Sequence, residues 1–430
     1  MRSQSKRIPT GPLHKVYNVA MACVLPLVSA GLPCFARGRR RLAERYGVWG
    51  ELPHTPWWFH AASVGEVQGV LPLIKRVRSV GSAERVLLTS TSPTGLDRAG
   101  SAVDSARLVP IDVPWLVKSA LRSAHFDRFV LTETELWPNL MHAVLETGKP
   151  CHIINGRISD YTMAWYERLS GIFAPLLRRF SSISVPDEGQ RDRFSALGVD
   201  RSKVFVTGHT KYDSAPAFLG DSARHTAREL FFPGISPETP LITLGSIRGG
   251  EERFWFEAIK RVWKQGIPLH VIVAPRHAER FEFFWSAMAG LSNRVARWSE
   301  RGTRSARECD ALLLDTMGVL EQAYCASDYA FVGATMVDIG GHNPFEPAMY
   351  GVPIAVGQYT SVIEEPVAEL EKARAARRIR SEGDIYALLE ELVRDPQAAR
   401  KSGEAAKRVW ASHQGAVERV MQVISQSEVA

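Results

Sequence analysis

Cysteine is scarce: five in 430 residues, Cys23, Cys34, Cys151, Cys309 and Cys325, with no CxxC pair and no regular spacing. That excludes a disulfide framework and the usual structural zinc sites, and it suits a reducing compartment. The chain also lacks HExxH, a Walker loop, GxGxxG and Asp-x-Asp. The commonest zinc, P-loop, dinucleotide and Asp-held metal chemistries are thereby removed. There is no low-complexity tract and no short internal repeat, so neither a solenoid nor a disordered tail is indicated. Acidic residues are outnumbered, 46 Asp+Glu against 53 Lys+Arg, for a net charge of +7 and a pI near 9.2. A basic balance favours an acidic partner, with nucleic acid, anionic lipid and phosphorylated metabolites all open.

Long uncharged runs are also rare, and the one of interest is N-terminal. Val19 to Phe35 carries no charge over 17 residues and is interrupted by Pro26 and Pro33. This is at the short limit for a membrane-spanning helix. Arg37, Arg39, Arg40, Arg41 and Arg45 follow it, the reverse of a signal peptide, whose positive charge precedes the apolar run. The positive-inside rule puts the globular remainder in the cytoplasm, the alternative being that the apolar run is a buried core helix. Arginines so placed are expected to hold anionic headgroups at about 1 kcal/mol each.

At this length two domains of roughly 200 residues each are expected. From Trp57 onward, short β-rich runs alternate with helical stretches: WWFHA, RVLLTST, RLVPID, RFVLTE, CHIIN, SISVP and KVFVTGH. That is the rhythm of a parallel sheet with crossover helices. A polar segment over 214–240 interrupts it, and LITLGS, LHVIVAP, ALLLDT, YAFVGA and PIAVG begin a second series. The expected divisions are an anchor with its basic cluster over 1–45, a first domain over 46–213, a linker over 214–240, a second domain over 241–383 and closing helices over 384–430. Two such α/β halves imply a cleft, with ligands beyond the carboxyl ends of the strands.

The chemistry-bearing residues fall at those strand ends. In WWFHAASVGEV, Ser63 stands three positions before Glu66, which is the spacing of a capping box. The same carboxylate in a cleft can take a proton. The two roles are expected to exclude each other, because a Glu bonded back to Ser63 has its lone pairs occupied. Gly65 leaves room for a bulky acceptor. Glu133 and Glu135 are expected on one face of a strand end, where like charges push one pKa up, although two solvated acids fit the spacing equally. Lys211 follows another strand and can neutralise an anion there or be a surface charge.

In the second half, Ser246 lies at a strand-to-helix turn whose amides suit phosphate. Pro275 and Arg276 end the next strand, and Arg276 can grip phosphate in a fork. Met317, Gly318 and Val319 can offer amides and an apolar face to a flat base. Gly340 and Gly341 are expected to open space before Asn343, Pro344, Phe345 and Glu346, where a carboxylate suits a ribose diol. Pro344 at a helix start is also an ordinary structural choice.

Taken together, HAASVGEV, VPIDVP, TETELWPN, NGRISD, GHTKYD, GSIRGGEE, APRHAER and GGHNPFEP resemble, in order and spacing, the Kdo (3-deoxy-D-manno-octulosonic acid) transferases of lipopolysaccharide assembly. The resemblance implies a GT-B glycosyltransferase of the α/β class, with two Rossmann-like domains facing a cleft and an N-terminal membrane anchor. It implies CMP-Kdo as donor, a tetraacyl disaccharide bisphosphate precursor of lipid A as acceptor, no cofactor or metal, and no nucleic acid. The place would be the cytoplasmic face of a bacterial inner membrane. Residue by residue, Glu66 matches the general base, and Glu133 and Lys211 match transition-state stabilisers. Ser246, Pro275, Arg276, Met317 to Val319 and Asn343 to Glu346 match the CMP-binding segments. His209, Arg248 and Val319 depart from the family pattern.

Rival readings are a hydrolase using Ser63, since AASVG approaches the G-x-S-x-G elbow, a non-catalytic binder of nucleotide or anionic lipid, and another GT-B enzyme using a UDP-sugar. The elbow normally follows the fifth strand of its fold, whereas here it follows the first.

Overall fold

Trp57, Trp58, Phe59 and His60 are all buried, as expected of a strand covered on both faces of a parallel sheet. Trp58 makes edge contacts with Trp49, Phe126 and Phe129 at centroid distances of 5.8, 5.0 and 4.9 Å, and its indole N–H donates to Thr89 Oγ1 at 2.8 Å. On the opposite face Trp57 stacks on Phe59 at 5.6 Å under the Arg128 guanidinium. This central strand is β1 (Trp57–His60). The others of its sheet are β2 (Val86–Ser90), β3 (Ser105–Leu108), β4 (Arg128–Thr132), β5 (Cys151–Ile154), β6 (Ser182–Val185) and β7 (Val204–Val206). All pair in parallel, in the order β3-β2-β1-β4-β5-β6-β7.

The computed structural model describes residues 11–81, 85–213, 220–292, 294–302 and 308–429. The chain divides into two units, Met1–Ser214 with His413–Ala430, and Ala215–Ser412. The second unit repeats the first architecture with β8 (Leu241–Ile247), β9 (His270–Pro275), β10 (Val295–Arg297), β11 (Ala311–Leu313), β12 (Tyr329–Val332), β13 (Ile354–Val356) and β14 (Ala376–Arg378). Their order is β10-β11-β9-β8-β12-β13-β14, again parallel. The order reverses between β1 and β4 in the first sheet and between β8 and β12 in the second. These are the switch points, where a doubly wound sheet opens a crevice for ligands.

Within the segment 214–240 read as a linker, Gly220–Phe231 is a helix of the second unit, and 214–219 lie outside the described residues. The closing helices divide between the units. Glu382–Arg394 and Pro396–Ser412 belong to the second, while Ala416–Val429 returns to the first and buries Val420 and Ile424 among Val67, Val70 and Ile74.

The helix Pro12–Gly31 runs on through Cys34 as a 23-residue stretch of mean hydropathy 1.6, long and apolar enough to cross a membrane. Val16, Val19 and Leu27 are 65%, 65% and 75% exposed. Only its first turns dock: Leu13 lies against Gly171, and His14 and Tyr17 bond into the first domain. The first ten residues of the expected anchor lie outside the described residues. Part of the arginine cluster is turned inward. Arg41 bonds Glu44 and the Ala106 carbonyl, and Arg45 donates to the Thr91 carbonyl at 3.4 Å, while Arg40 pairs with Asp97 at 2.9 Å on the surface. The expected headgroup contacts therefore cannot be counted equally for every arginine.

Candidate active site

Glu66 opens the helix Val64–Ser79 directly after β1, and the capping box is formed. Its N–H donates to Ser63 Oγ at 3.2 Å, while its Oε1 accepts from Ser63 N–H at 3.2 Å and its Oε2 from Ala62 N–H at 2.7 Å. The expected exclusion between capping and proton abstraction is too strict. A carboxylate has about four acceptor sites, and the box takes one on each oxygen, leaving one on each for a substrate hydroxyl. The helix start and the two amides also favour negative charge there. A Cβ at Gly65 would meet only Ser63 Oγ, at 3.8 Å, so that side is open. Ser63 spends its oxygen as the cap, which does not favour a nucleophilic serine.

Glu133 follows β4, the neighbour of β1 across the switch point. It does not continue the strand: its φ is +59°, a left-handed conformation uncommon outside glycine, and its N–H donates to the Ile154 carbonyl at 2.8 Å. Strand alternation thus ends before Glu133. Glu133 is half-buried and Glu135 exposed, so they do not share a strand face. Burial raises the Glu133 pKa from 4.5 to about 7, with the Glu66 charge adding to the rise and Lys211 and Arg157 opposing it. Burial and Glu66 raise Glu135 as well. Glu66, Glu133, Lys211 and Arg157 are therefore one electrostatic group at the carboxyl edge of the first sheet.

Lys211 is held by a turn with many ties. Asn155, also left-handed at φ +53°, accepts from Thr210 N–H at 2.9 Å and donates to Thr210 Oγ1 at 2.8 Å. Thr210 Oγ1 donates to the Gly69 carbonyl at 2.5 Å, and Asp213 caps the helix Ala416–Val429 through the Ala416 and Val417 amides. His209 Nδ1 accepts from Lys211 N–H at 3.3 Å, which leaves its proton on Nε2. Burial, then Lys211 and Arg157, keep this imidazole well below its usual titration range. Lys211 Nζ stands 4.8 Å over the Tyr212 ring.

The raised Glu133 pKa has a stability consequence. The folded state keeps a proton that the unfolded chain has released between 4.5 and about 7, so this group's contribution makes stability fall as pH rises through that window. Glu133→Gln flattens the slope. Urea unfolding at about pH 5 and about pH 8 reads the difference, and a variant with an unaltered slope contradicts the assigned coupling.

In the second sheet, the residues read as a nucleotide site gather after four adjacent strands, β11, β9, β8 and β12. Ser246 sits in an irregularity of β8 at φ +54°, and Pro275 ends β9 opposite Ile247, with exposed Arg276 next. Met317, Gly318 and Val319 form the turn after β11, Met317 being exposed. Asn343 accepts from Phe345 N–H at 3.1 Å, opening the short helix Phe345–Ala348 with Pro344 before it. Gly340 and Gly341 do not open space for a ligand. Cβ atoms there would meet Val362 and Ile363 side chains at 2.5 Å, so the loop closes on its own chain, at φ of +101° and +94°. Glu346 presents accessible surface yet is walled by protein. Loss of water around it raises its pKa to about 7, with Arg276 opposing and Glu321 adding. Arg248, Arg280, His277, Phe284 and Ile339 line a recess beside these residues. His342 is held to about 4 by burial and the cations Arg276 and Arg248, so positive charge is concentrated here.

Glu251 was not singled out in the sequence. It is fully buried, and its two oxygens accept four backbone N–H groups, from Arg248 at 2.8 Å, Ala334 at 3.0 Å, Thr335 at 3.0 Å and Met336 at 2.9 Å. It joins the loops after β8 and β12, the two strands at the switch point. Burial still raises its pKa against those four bonds. Among the described residues no cluster of three or more His, Cys, Asp or Glu could hold a metal ion.

Two doubly wound domains, one with carboxylates and the other with cations at its switch point, define an α/β protein of the GT-B glycosyltransferase class. Residues 40–214 match the family model described as 3-deoxy-D-manno-octulosonic-acid transferase (kdotransferase). A 3-deoxy-D-manno-octulosonic acid transferase of Haemophilus influenzae is 27% identical over 413 residues, 94% of each chain. One of Aquifex aeolicus is 28% identical over 339 residues, 78% of this chain and 85% of its own. A UDP-GlcNAc 2-epimerase of Neisseria meningitidis, solved bound to UDP-GlcNAc, superposes with a TM-score of 0.59 at 13% identity, covering 86% of this chain and 99% of its own, a likeness of fold alone. The family model is matched within the first domain alone, and the likeness to Kdo transferases runs over nearly the whole chain. These likenesses support a glycosyltransferase similar to the enzymes that transfer Kdo in lipopolysaccharide biosynthesis.

Proposed function

We propose that the protein transfers Kdo from CMP-Kdo to a lipid A precursor, a tetraacyl disaccharide 1,4′-bisphosphate, with inversion and without a metal. The observation that carries this reading is the pairing of Glu66 with Glu133 across the first switch point, where environment drives two carboxyls apart in role. Glu66, held by two amides, takes the proton of the attacking sugar hydroxyl as the hydroxyl oxygen bonds to the anomeric carbon of Kdo. The bond from that carbon to the CMP phosphate breaks, and CMP leaves as a stable anion that needs no general acid. Glu133, protonated below about 7, and Lys211 stabilise charge developing in an oxocarbenium-like state. Arg276 supplies positive field for the phosphate, Ser246 and the 317–319 turn face the nucleotide, and Asn343 to Glu346 accept from the ribose hydroxyls.

In this reading the N-terminal helix is the anchor to the cytoplasmic face of an inner membrane. With His14 and Tyr17 docked, 17 uncharged residues remain from Asn18 to Cys34. At 1.5 Å per residue these reach about 25 Å, short of the ~30 Å hydrocarbon core. Partial insertion, one leaflet deep and beyond, fits better than a full crossing.

Nucleotide competition tests the donor. CMP should compete with donor turnover and UDP should not. Equal inhibition by UDP would move the assignment to a UDP-sugar enzyme.

A further inference from the structure

The N-terminal helix is rooted in the first domain by a chain of hydrogen bonds through Tyr17, Asp112, Asn139 and His14. Asp112, 2% exposed, accepts from the Tyr17 hydroxyl at 2.8 Å and from the N–H groups of Asn139 and Leu140 at 3.0 and 2.9 Å. Asn139 Nδ2 donates to the Asp112 carbonyl at 2.7 Å, and Asn139 Oδ1 meets His14 Nε2 at 2.9 Å. With Nδ2 committed as donor, Oδ1 accepts, and the His14 proton must be on Nε2. His14 and Asn139 are each 5% exposed, so every member but Tyr17 is buried. No step of the proposed reaction uses any of the four.

Asn139 is six positions beyond Glu133, and the chain between them has little slack. Thr134 Oγ1 donates to the Arg157 carbonyl at 2.5 Å, Leu136 N–H to the Thr134 carbonyl at 2.8 Å, and Trp137 N–H to the Glu135 carbonyl at 3.1 Å. Pro138 then enters the helix Pro138–Leu145. Bonds at 134, 136 and 137 leave this segment few unbonded positions to absorb a shift of Asn139 before it would reach Glu133.

We infer that Asp112 is a positioning residue: through Asn139 it registers the N-terminal helix against the loop that carries Glu133, so that seating of the anchor sets the geometry of the active site. This rests on the reading that Glu133 serves the reacting centre. The helix is then scaffold as well as tether, and its loss impairs catalysis even when the acceptor is dispersed in detergent.

The test uses the full chain in detergent, with Tyr17→Phe, Asp112→Asn and His14→Gln, the last retaining a donor for Asn139. Tyr17→Phe should lower kcat about 10-fold and Asp112→Asn about 10²-fold, with KM for the donor unchanged, as small misplacements do. Both should speed amide exchange over residues 133–140 without speeding it in β1 or β5, and His14→Gln should retain kcat. Sedimentation with phospholipid vesicles should be unaltered. Unchanged kcat in Tyr17→Phe, or exchange raised throughout the first domain, overturns the inference. Exchange is read without substrate. A wild type that turns nothing over would therefore sink the proposed reaction while exchange still decides the positioning role.

Discussion

Glu66→Gln should reduce turnover by about 10² to 10⁴, the usual contribution of a positioned general base, and leave the fold and nucleotide binding in place. Gln is the discriminating replacement because of the capping box. The box accepts Gln as readily as Glu at its third helical position, so the side-chain oxygen still receives the Ser63 or Ala62 N–H. What it loses is basicity and one of the two accepted N–H bonds. A residue present only to start the helix Val64–Ser79 would tolerate the change with near-normal turnover. Glu66→Ala removes both functions and should also lower stability by about 1 kcal/mol, as lost caps do. Single-turnover rates beside thermal unfolding of both variants separate the two effects.

The largest effect on stability is expected at Glu251. Glu251→Ala leaves four buried N–H groups, those of Arg248, Ala334, Thr335 and Met336, without their acceptor. Each unmade bond costs about 1 to 3 kcal/mol before relaxation and water entry. A net loss of about 3 to 5 kcal/mol in the second domain is expected, within the range found when buried polar networks are broken. Because Glu251 joins the β8 and β12 loops, nucleotide affinity should fall together with stability. A denaturant titration with a separate transition for each domain would show the second moving alone. A change below about 1 kcal/mol would contradict the role given to those four bonds.

How far the sequence reached depended on what kind of feature was sought. The inner strands of the first sheet are legible as short apolar runs such as WWFH or RVLLTS, because they are buried on both faces, whereas the run RLVPID overlaps the edge strand β3 only at Arg107 and Leu108. In the second sheet β10 and β14 escaped notice. They are three-residue edge strands, VAR and ARR, with almost no apolar signal. The residues at the strand ends were legible as chemistry but not as geometry. Glu133 was placed by strand alternation, and its left-handed φ, which turns the chain out of the sheet, has no marker in a non-glycine residue. Gly340 and Gly341 were legible as special, yet only the fold shows that Val362 and Ile363 fill the space beside them. Glu251 and Asp112 passed as ordinary acids, since a carboxylate that organises backbone amides from distant loops looks no different in sequence from one on a surface.

The capping box has the converse lesson. Ser63 and Glu66 form it as the pattern S-x-x-E requires, yet the cap and the proposed base are not alternatives, since one carboxylate has acceptor sites for both. The two amides and the helix start that make the cap hold the Glu66 carboxylate in place, while burial raises the Glu133 pKa to about 7.

Mass spectrometry of the tetraacyl disaccharide bisphosphate, after incubation with the protein and freshly generated CMP-Kdo, tests the central claim most directly. A mass gain of whole Kdo units with the wild type, and none with Glu66→Gln over the same interval, is the predicted result. An unchanged acceptor with the donor shown to be intact, or the same gain in both proteins, would contradict it.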